Sequence, residues 1–317
     1  MPFQSNQSRD KKRRIPLVRR PLVHWKTRLL DRHPKLIVLL YHRVLDDPSE
    51  NPFNTAVSTE TFQTQLEYVI DQYPVVPLSD VELRNGVQVT LTFDDGYEDN
   101  FRTVLPILTK KRLSATFLLT TDYINTGMPL WDWEIALRLN SNKKISRVEV
   151  DGVIVSKMSN ETRSSFARRV IEHLKGVDIL DLARVLGTLR NQSNWEVDCR
   201  CMTWDEVDEL RKAGFEIGSH GCSHRSLTRI PAEEAIDEVA NSKRIIEEHT
   251  GSKCRFLAFP FGGRGDISDL LVSAAHQTGF ERCLNNTRGY NRIPLPSKAC
   301  FNRVMVTEES DFRYLLG

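Results

Sequence analysis

Six short apolar runs punctuate the chain: LIVLLY at 36–41, VTLTF at 89–93, ATFLLT at 115–120, FEIGS at 215–219, RFLAF at 255–259 and FNRVMV at 301–306. Their shortness and their near-continuous Val, Ile, Leu and Phe predict strands buried on both faces, as in parallel sheets. Between them, helical spacing of apolar residues predicts helices at 98–111, 203–213, 231–249 and 266–278. Thr203 and Glu206 have capping-box spacing, Pro231 suits a first helical turn, and Gly214 and Gly279 punctuate helix ends. Alternating strand and helix implies a parallel sheet with crossover helices. The rhythm breaks at 130–200, where LWDWEIALRLN and SSFARRVIEHLKGVDILDLARVLGTL read as helices around a strand-like SRVEVDGVIV. An inserted, mostly helical cap is expected there. Polar groups fall where strands end: Tyr41-His42, Asp94-Asp95-Gly96, Thr121-Asp122, Ser219-His220 and Pro260-Phe261-Gly262. In a closed barrel all five share the C-terminal mouth, where barrel enzymes build their active sites.

Composition alters this picture little. A chain of 317 residues, 40% hydrophobic and 27% charged, can bury a sizeable core, and one α/β domain with an insertion is expected over two domains. Charge matters at one end: the net +2 conceals eleven Lys/Arg within residues 1–35 against Asp10 and Asp31. This basic leader has no hydrophobic core of the secretory type, and no later run is long and apolar enough to span a bilayer. It reads as a solvated tail, with peripheral contact to an anionic membrane surface through its Lys/Arg and Trp25, Leu29 and Leu30 as the functional alternative. No nucleic-acid module follows it, so nucleic acid is not expected as a partner. The six cysteines lack CxxC pairing and read as reduced thiols, which points to a cytoplasmic chain, peripheral at the inner membrane surface if the leader adheres.

The chemistry begins in LTFDDGYEDN at 91–100. Asp94 and Asp95 repel each other unless a cation or a shared proton lies between them. GSHGCSHRSL at 218–227 places His220 and His224 at i and i+4, on one side of a helical turn, where two imidazoles can converge on an ion. That spacing is common by itself, and Gly221 excludes the peptidase pattern HExxH. One aspartate with two neutral imidazoles makes a three-ligand site open to water, and the other aspartate is free to act as a base. Gly96 is expected to turn the chain without a side chain in the substrate's way. Cys222 reads as a small buried thiol ahead of a soft metal ligand.

On these residues the sequence resembles the polysaccharide deacetylase family, the NodB-homology domain of carbohydrate esterase family four. TFDDG is present as Thr92 to Gly96; H-S/T-x-x-H appears as His220 to His224 with Gly221 in the Ser/Thr place; R-x-P-F/Y is partly kept in AFPFG, with Ala258 in place of the arginine. The likeness runs from about 36 to 306 around the insertion, and YHRV at 41–44 with the missing arginine resembles the exopolysaccharide-associated branch. It implies an α/β fold, a distorted TIM-like (β/α) barrel of the NodB-homology type at 36–317, carrying the insertion at 130–200. It further implies that Asp95, His220 and His224 bind a divalent metal ion, zinc first with cobalt, nickel or manganese as alternatives, and that Asp94 is the general base toward water. The implied reaction removes N-acetyl or similar acyl groups from amino sugars of a glycan, or of a lipid-linked sugar precursor. Pro260 and Phe261 would line the pocket, a backbone N–H near Phe261 would hold the developing oxyanion, and Trp131 would stack on sugar. The family's late histidine motif has no match, since His276 lies in a helical pattern ended by Gly279 and the corresponding region reads ACFNRVMV. Arg303 is therefore expected to replace the missing arginine in orienting Asp94, and His42 to serve as the acid. Three other functions fit parts of the pattern. They are an iron oxygenase with a two-histidine, one-carboxylate triad, which the α/β rhythm disfavours, a non-catalytic sugar-binding relative, and a deformylase or cyclic amidase.

Overall fold

Seven parallel strands follow one another around a ring in chain order: β1 Pro34–Tyr41, β2 Gly86–Phe93, β3 Thr116–Leu119, β4 Glu216–Ser219, β5 Phe256–Ala258, β6 Arg282–Leu284 and β7 Arg303–Met305. The computed structural model describes residues 34–48, 51–81, 86–193, 199–296 and 299–316. β1 and β2 pair along their whole length, from Pro34 opposite Gly86 to Tyr41 opposite Phe93. The ring closes in two steps. Phe301 bridges Leu284 at the end of β6, and β7 then lies parallel to β1 with Arg303 opposite Val38. This is the distorted (β/α) barrel the sequence implied. A two-residue strand, Asn291–Arg292, adds antiparallel to β1 outside the ring.

The strands are short and apolar on both faces because each face meets its own cluster. Ile37, Leu39 and Tyr41 of β1, Leu91 and Phe93 of β2, and Phe117 and Leu119 of β3 turn outward beneath the helices. Leu36, Val38, Leu118, Phe256, Ala258, Leu284 and Phe301 fill the interior, plugged below by Val76 and Leu78. Gly218 of β4 faces this interior, and a Cβ there would come within 2.6 Å of Leu118 and 2.9 Å of the Phe256 carbonyl.

The outer helices include one that the apolar pattern does not announce, α1 Thr59–Gln72. Ser58 accepts from Thr61 N–H at its start, and Phe62, Leu66 and Val69 form its buried stripe. The helix expected at 98–111 is two pieces, a π-turn at Asn100–Val104 and α2 Leu105–Lys111. Pro106 has no N–H to give the preceding turn, and the ladder widens there.

The insertion comprises α3 Trp131–Ser141, an antiparallel hairpin of Arg147–Val150 with Val153–Ser156, α4 Arg163–Leu174 and α5 Ile179–Gln192. It has its own apolar cluster, centred on Trp131, Ile135, Phe166, Val170 and Leu182. Glu134, buried inside it, accepts from Arg138 and Arg190 at 2.7 Å each. Burial pushes that carboxyl up, but the two guanidiniums hold it below its ordinary value. Past the insertion, α6 Trp204–Lys212 starts on the expected capping box of Thr203 and Glu206. Two further helices, α7 Ala232–Thr250 and α8 Asp269–Thr278, end on left-handed Gly251 and Gly279. The basic leader, with Trp25, Leu29 and Leu30, lies outside the described residues. No helix among the described residues is long and apolar enough to cross a membrane.

Candidate active site

The alternation that divides core from helices also builds the site. Arg303 pairs with inward Val38 and so shares its inward phase. The same phase, carried one step past the strand ends, aims Asp94 and His220 into the mouth. There Arg303 donates Nη1 to Asp94 Oδ1 and Nη2 to Asp94 Oδ2, each at 2.7 Å, with both side chains fully buried. The guanidinium also donates Nε to the Asn285 carbonyl at 2.9 Å and Nη2 to Asn286 Oδ1 at 2.6 Å. Asn286 in turn donates Nδ2 to the Phe261 carbonyl at 2.6 Å. One amide thus ties the arginine behind Asp94 to the loop after β5.

Asp95 faces the two histidines. Its Oδ1 lies 3.5 Å from His220 Nε2 and 3.6 Å from His224 Nε2, and one atom from each of the three residues falls within 4.8 Å of the others. Among the described residues this is the only His/Cys/Asp/Glu group of that kind. The histidines do not converge through a helical turn, contrary to the expectation from their spacing. Residues 220–224 are a loop in which Gly221 at φ +78° and His224 at φ +58° take left-handed backbone. That conformation accounts for glycine where the family pattern has Ser or Thr. The loop is held by Thr121 and Asp122, whose N–H groups donate to the carbonyls of Gly221 and Cys222, and by Glu238 of α7, which accepts from the N–H groups of Cys222 and Ser223. Cys222 Sγ turns to the Glu238 carbonyl at 3.4 Å, away from the histidines.

Three bulky or charged residues of the site hold positive φ: Asp95 at +76°, His224 at +58° and Phe261 at +62°. Such backbone costs free energy wherever a Cβ is present, and here it gathers at one mouth. Gly96, at φ +84°, satisfies a turn of the same kind. A Cβ on it would meet Ile124 and Leu119 at 3.1 Å. The glycine is therefore needed for its backbone and the packing beneath it, and not to clear a path for substrate.

Electrostatics separate the two carboxylates. Burial raises both, but Arg303, His220 and His42 bring Asp94 down to about 2. Asp95 has no such clamp; burial first, with Asp94 and Asp132 beside it, pushes it up to about 7. Burial lowers His220 to about 3, and its Nδ1 meets the Ala258 carbonyl at 2.9 Å, so Nδ1 carries the proton and Nε2 offers its lone pair toward Asp95. Asp95 Oδ1 is buried with no hydrogen-bond partner. An orphaned carboxylate oxygen opposite two imidazole lone pairs is the donor set of a divalent cation, and these residues fit one.

The remaining predicted residues divide. Phe261 stands against His224 with ring centroids 4.9 Å apart, and Lys175 Nζ of the insertion lies 4.1 Å from the centroid of the Phe261 ring. Pro260 is buried beside it. Trp131 lies behind the mouth and does not open into it: it is fully buried in the insertion core, and its indole N–H donates to the His224 carbonyl at 3.0 Å. A ring so enclosed has no face to offer a sugar. His42 sits at the mouth within the field of Asp94, its Nδ1 unpaired, and burial lowers it to about 4. Its imidazole is neutral at pH 7 and carries no proton to give until one reaches it. His276 bonds the Phe280 carbonyl at the end of its own helix. Neither Asp132 nor Asn286 stands out in the sequence. Asp132 follows a tryptophan in a helical pattern and Asn286 lies in a loop, and only tertiary contact gives either a role.

Comparison with known proteins agrees with the geometry. A family model described as polysaccharide deacetylase matches residues 84–283. The peptidoglycan-N-acetylmuramic acid deacetylase PdaC of Bacillus subtilis (strain 168) is 35% identical over 57 residues, 18% of this chain and 12% of PdaC. The match therefore spans about an eighth of that relative. Among solved structures, the Streptococcus pyogenes deacetylase PplD in complex with acetate is 17% identical with a TM-score of 0.59, over 89% of this chain and 96% of that one. IcaB from Ammonifex degensii is 19% identical with a TM-score of 0.56, over 87% and 94%. A de-N-acetylase from Aggregatibacter actinomycetemcomitans gives 17% and 0.57, over 89% and 98%. At these identities the structural likeness is one of fold.

Proposed function

The chain belongs to the polysaccharide deacetylase family, and from that membership we propose that it hydrolyses N-acetyl groups of an amino-sugar polymer at a site made of Asp94, Asp95, His220, His224 and Arg303. The reading is carried by the pairing of an orphaned Asp95 Oδ1 opposite two imidazoles with an Asp94 clamped through both oxygens. Asp95, His220 and His224 would hold the divalent ion, with zinc favoured by two nitrogens and one carboxylate oxygen. When bound, such an ion supplies Lewis acidity, lowering the pKa of water and polarising an amide carbonyl.

The chain's own groups do the rest. Asp94, ionised at any working pH, accepts a proton from the attacking water, and Arg303 keeps its carboxylate plane fixed while it does so. The Phe261 N–H, which bonds no acceptor among the described residues, donates to the carbonyl oxygen as charge develops there. His42, neutral at rest, takes up the proton that Asp94 received from the water and passes it to the leaving nitrogen. Acetate and a sugar amine result. The exopolysaccharide type of substrate is supported by the partial third motif, with Ala258 in the usual arginine place and Arg303 arriving from another strand.

The first test works without the native glycan. Elemental analysis after zinc reconstitution should find about one ion per chain in the wild type and in Asp94→Asn, and none in Asp95→Ala or His220→Ala. Acetate release from N-acetylglucosamine oligomers should then fall about 10²–10⁴-fold in Asp94→Asn with the ion retained. A wild type without a tightly held ion, or an Asp94→Asn enzyme of undiminished turnover, would falsify the assignment.

A further inference from the structure

The insertion touches the ligand set through the first turn of α3, and it grips one residue at two points. Trp131 Nε1 donates to the His224 carbonyl at 3.0 Å, and Asp132 Oδ1 stands 3.5 Å from His224 Nδ1. Trp131 is fully buried and Asp132 is 6% exposed. His224 requires such holding, because its left-handed backbone is unfavourable for a residue with a Cβ. Its Nε2 is turned to Asp95. An imidazole that offers Nε2 to an ion keeps its proton on Nδ1, and a buried N–H needs an acceptor. Asp132 is the acceptor in reach; the Nδ1 atom bonds no other group among the described residues.

We propose that Asp132 is the positioning carboxylate behind His224, fixing its tautomer and ring plane, so that the 130–200 insertion is a structural part of the metal site. The inference rests on the reading of Asp95, His220 and His224 as ligands. The two imidazoles are then held differently: His220 by the neutral Ala258 carbonyl at 2.9 Å, His224 by a carboxylate. A carboxylate acceptor makes the opposite nitrogen a stronger donor, and its removal typically costs 10–100-fold in metal affinity. A purely local role is the competing account, since Asp132 Oδ1 also accepts from the Trp133 N–H at 3.0 Å at the helix start.

Zinc affinity separates the two. Dissociation constants would be measured by competition with a chromophoric chelator for the wild type, Asp132→Ala, Asp132→Asn and His220→Ala, alongside thermal midpoints after chelator treatment and cobalt absorption spectra. Asp132→Ala should bind zinc about 10–100-fold more weakly with a changed cobalt spectrum, and Asp132→Asn, which keeps an oxygen acceptor without the charge, should fall between. Thermal midpoints without added metal should stay close to the wild type. Zinc affinity in Asp132→Ala within about threefold of the wild type, or weakening only in step with lost folding, overturns the proposal. If Asp132→Ala does not fold, Asp132→Asn decides: wild-type affinity there overturns it equally. A wild type that itself holds no zinc defeats the ligand reading beneath, whereas a wild type that binds zinc while the Asp132 variants bind it as well defeats this inference alone.

Discussion

Asp94 and Asp95 are neighbours in sequence and opposites in chemistry. Arg303 supplies two hydrogen bonds to one, at 2.7 Å each, and nothing to the other. The carboxyl at about 2 stays ionised, and the one at about 7 competes with protons for any cation. The sign follows directly: a raised pKa favours the protonated form below it, and an ion binds the deprotonated form. Burial lowers His224, but Asp132 and the other carboxylates beside it raise it by more, so two ligands hold protons below neutrality and zinc affinity should fall more than about tenfold for each pH unit below about 7. Chelator competition at several pH values checks this, and an affinity independent of pH between about 5.5 and 7.5 would contradict it. A role for Arg303 beside Asp94 was expected from the arginine missing at Ala258, and the strand's period of two explains how the side chain reaches it. Asp132 was not legible in the sequence, because its partner lies in a loop reached only when the insertion folds back on the barrel.

At the scale of elements, most strands were readable because their apolar runs are short, rich in Val, Ile, Leu and Phe, and end at polar residues. Helix α1 was harder to read although Ser58, Phe62, Leu66 and Val69 give it a cap and a stripe; its polar first turns hide the pattern. The converse holds at 220–224, where the spacing of two histidines suggests a helix and two left-handed residues make a loop. Glycine at 218 marks how tightly the strands approach, since a Cβ would meet a backbone oxygen at 2.9 Å and a side chain at 2.6 Å. Gly218→Ala should cost about 1–3 kcal/mol by overpacking. Denaturant unfolding measures it, and a midpoint equal to the wild type would show that the barrel interior has slack. His220 lies two residues on, so the same variant should also bind zinc less tightly.

For the whole molecule, closure of the ring and orientation of the base are one event. Phe301 makes the bridge to β6, and Arg303 follows it onto β1 and into Asp94. Phe301→Ala, which empties a buried site, should lower stability by about 3–5 kcal/mol. It should also depress turnover more than zinc content, because Asp94 loses its clamp while Asp95, His220 and His224 lie in the loops after β2 and β4, away from the seam. Equal losses of metal and turnover would argue that the seam and the base are independent. The class of fold was legible from alternation alone, and β7 lies within the predicted run FNRVMV, whereas β6, the other side of the closing seam, is three residues long and carries little pattern of its own.

The clamp on Asp94 comes from a residue 209 positions later in the chain. A polypeptide leaving the ribosome therefore exposes its adjacent aspartates long before their guanidinium has been translated. Until then the first strands cannot bury Asp94 as an ion without the full cost of dehydrating it, so the nascent half-barrel has a reason to keep its mouth wet. Synthesis that stops short of Arg303 leaves Asp94 without its counter-charge, and a chain that cannot bury this carboxylate as an ion is expected not to close its ring.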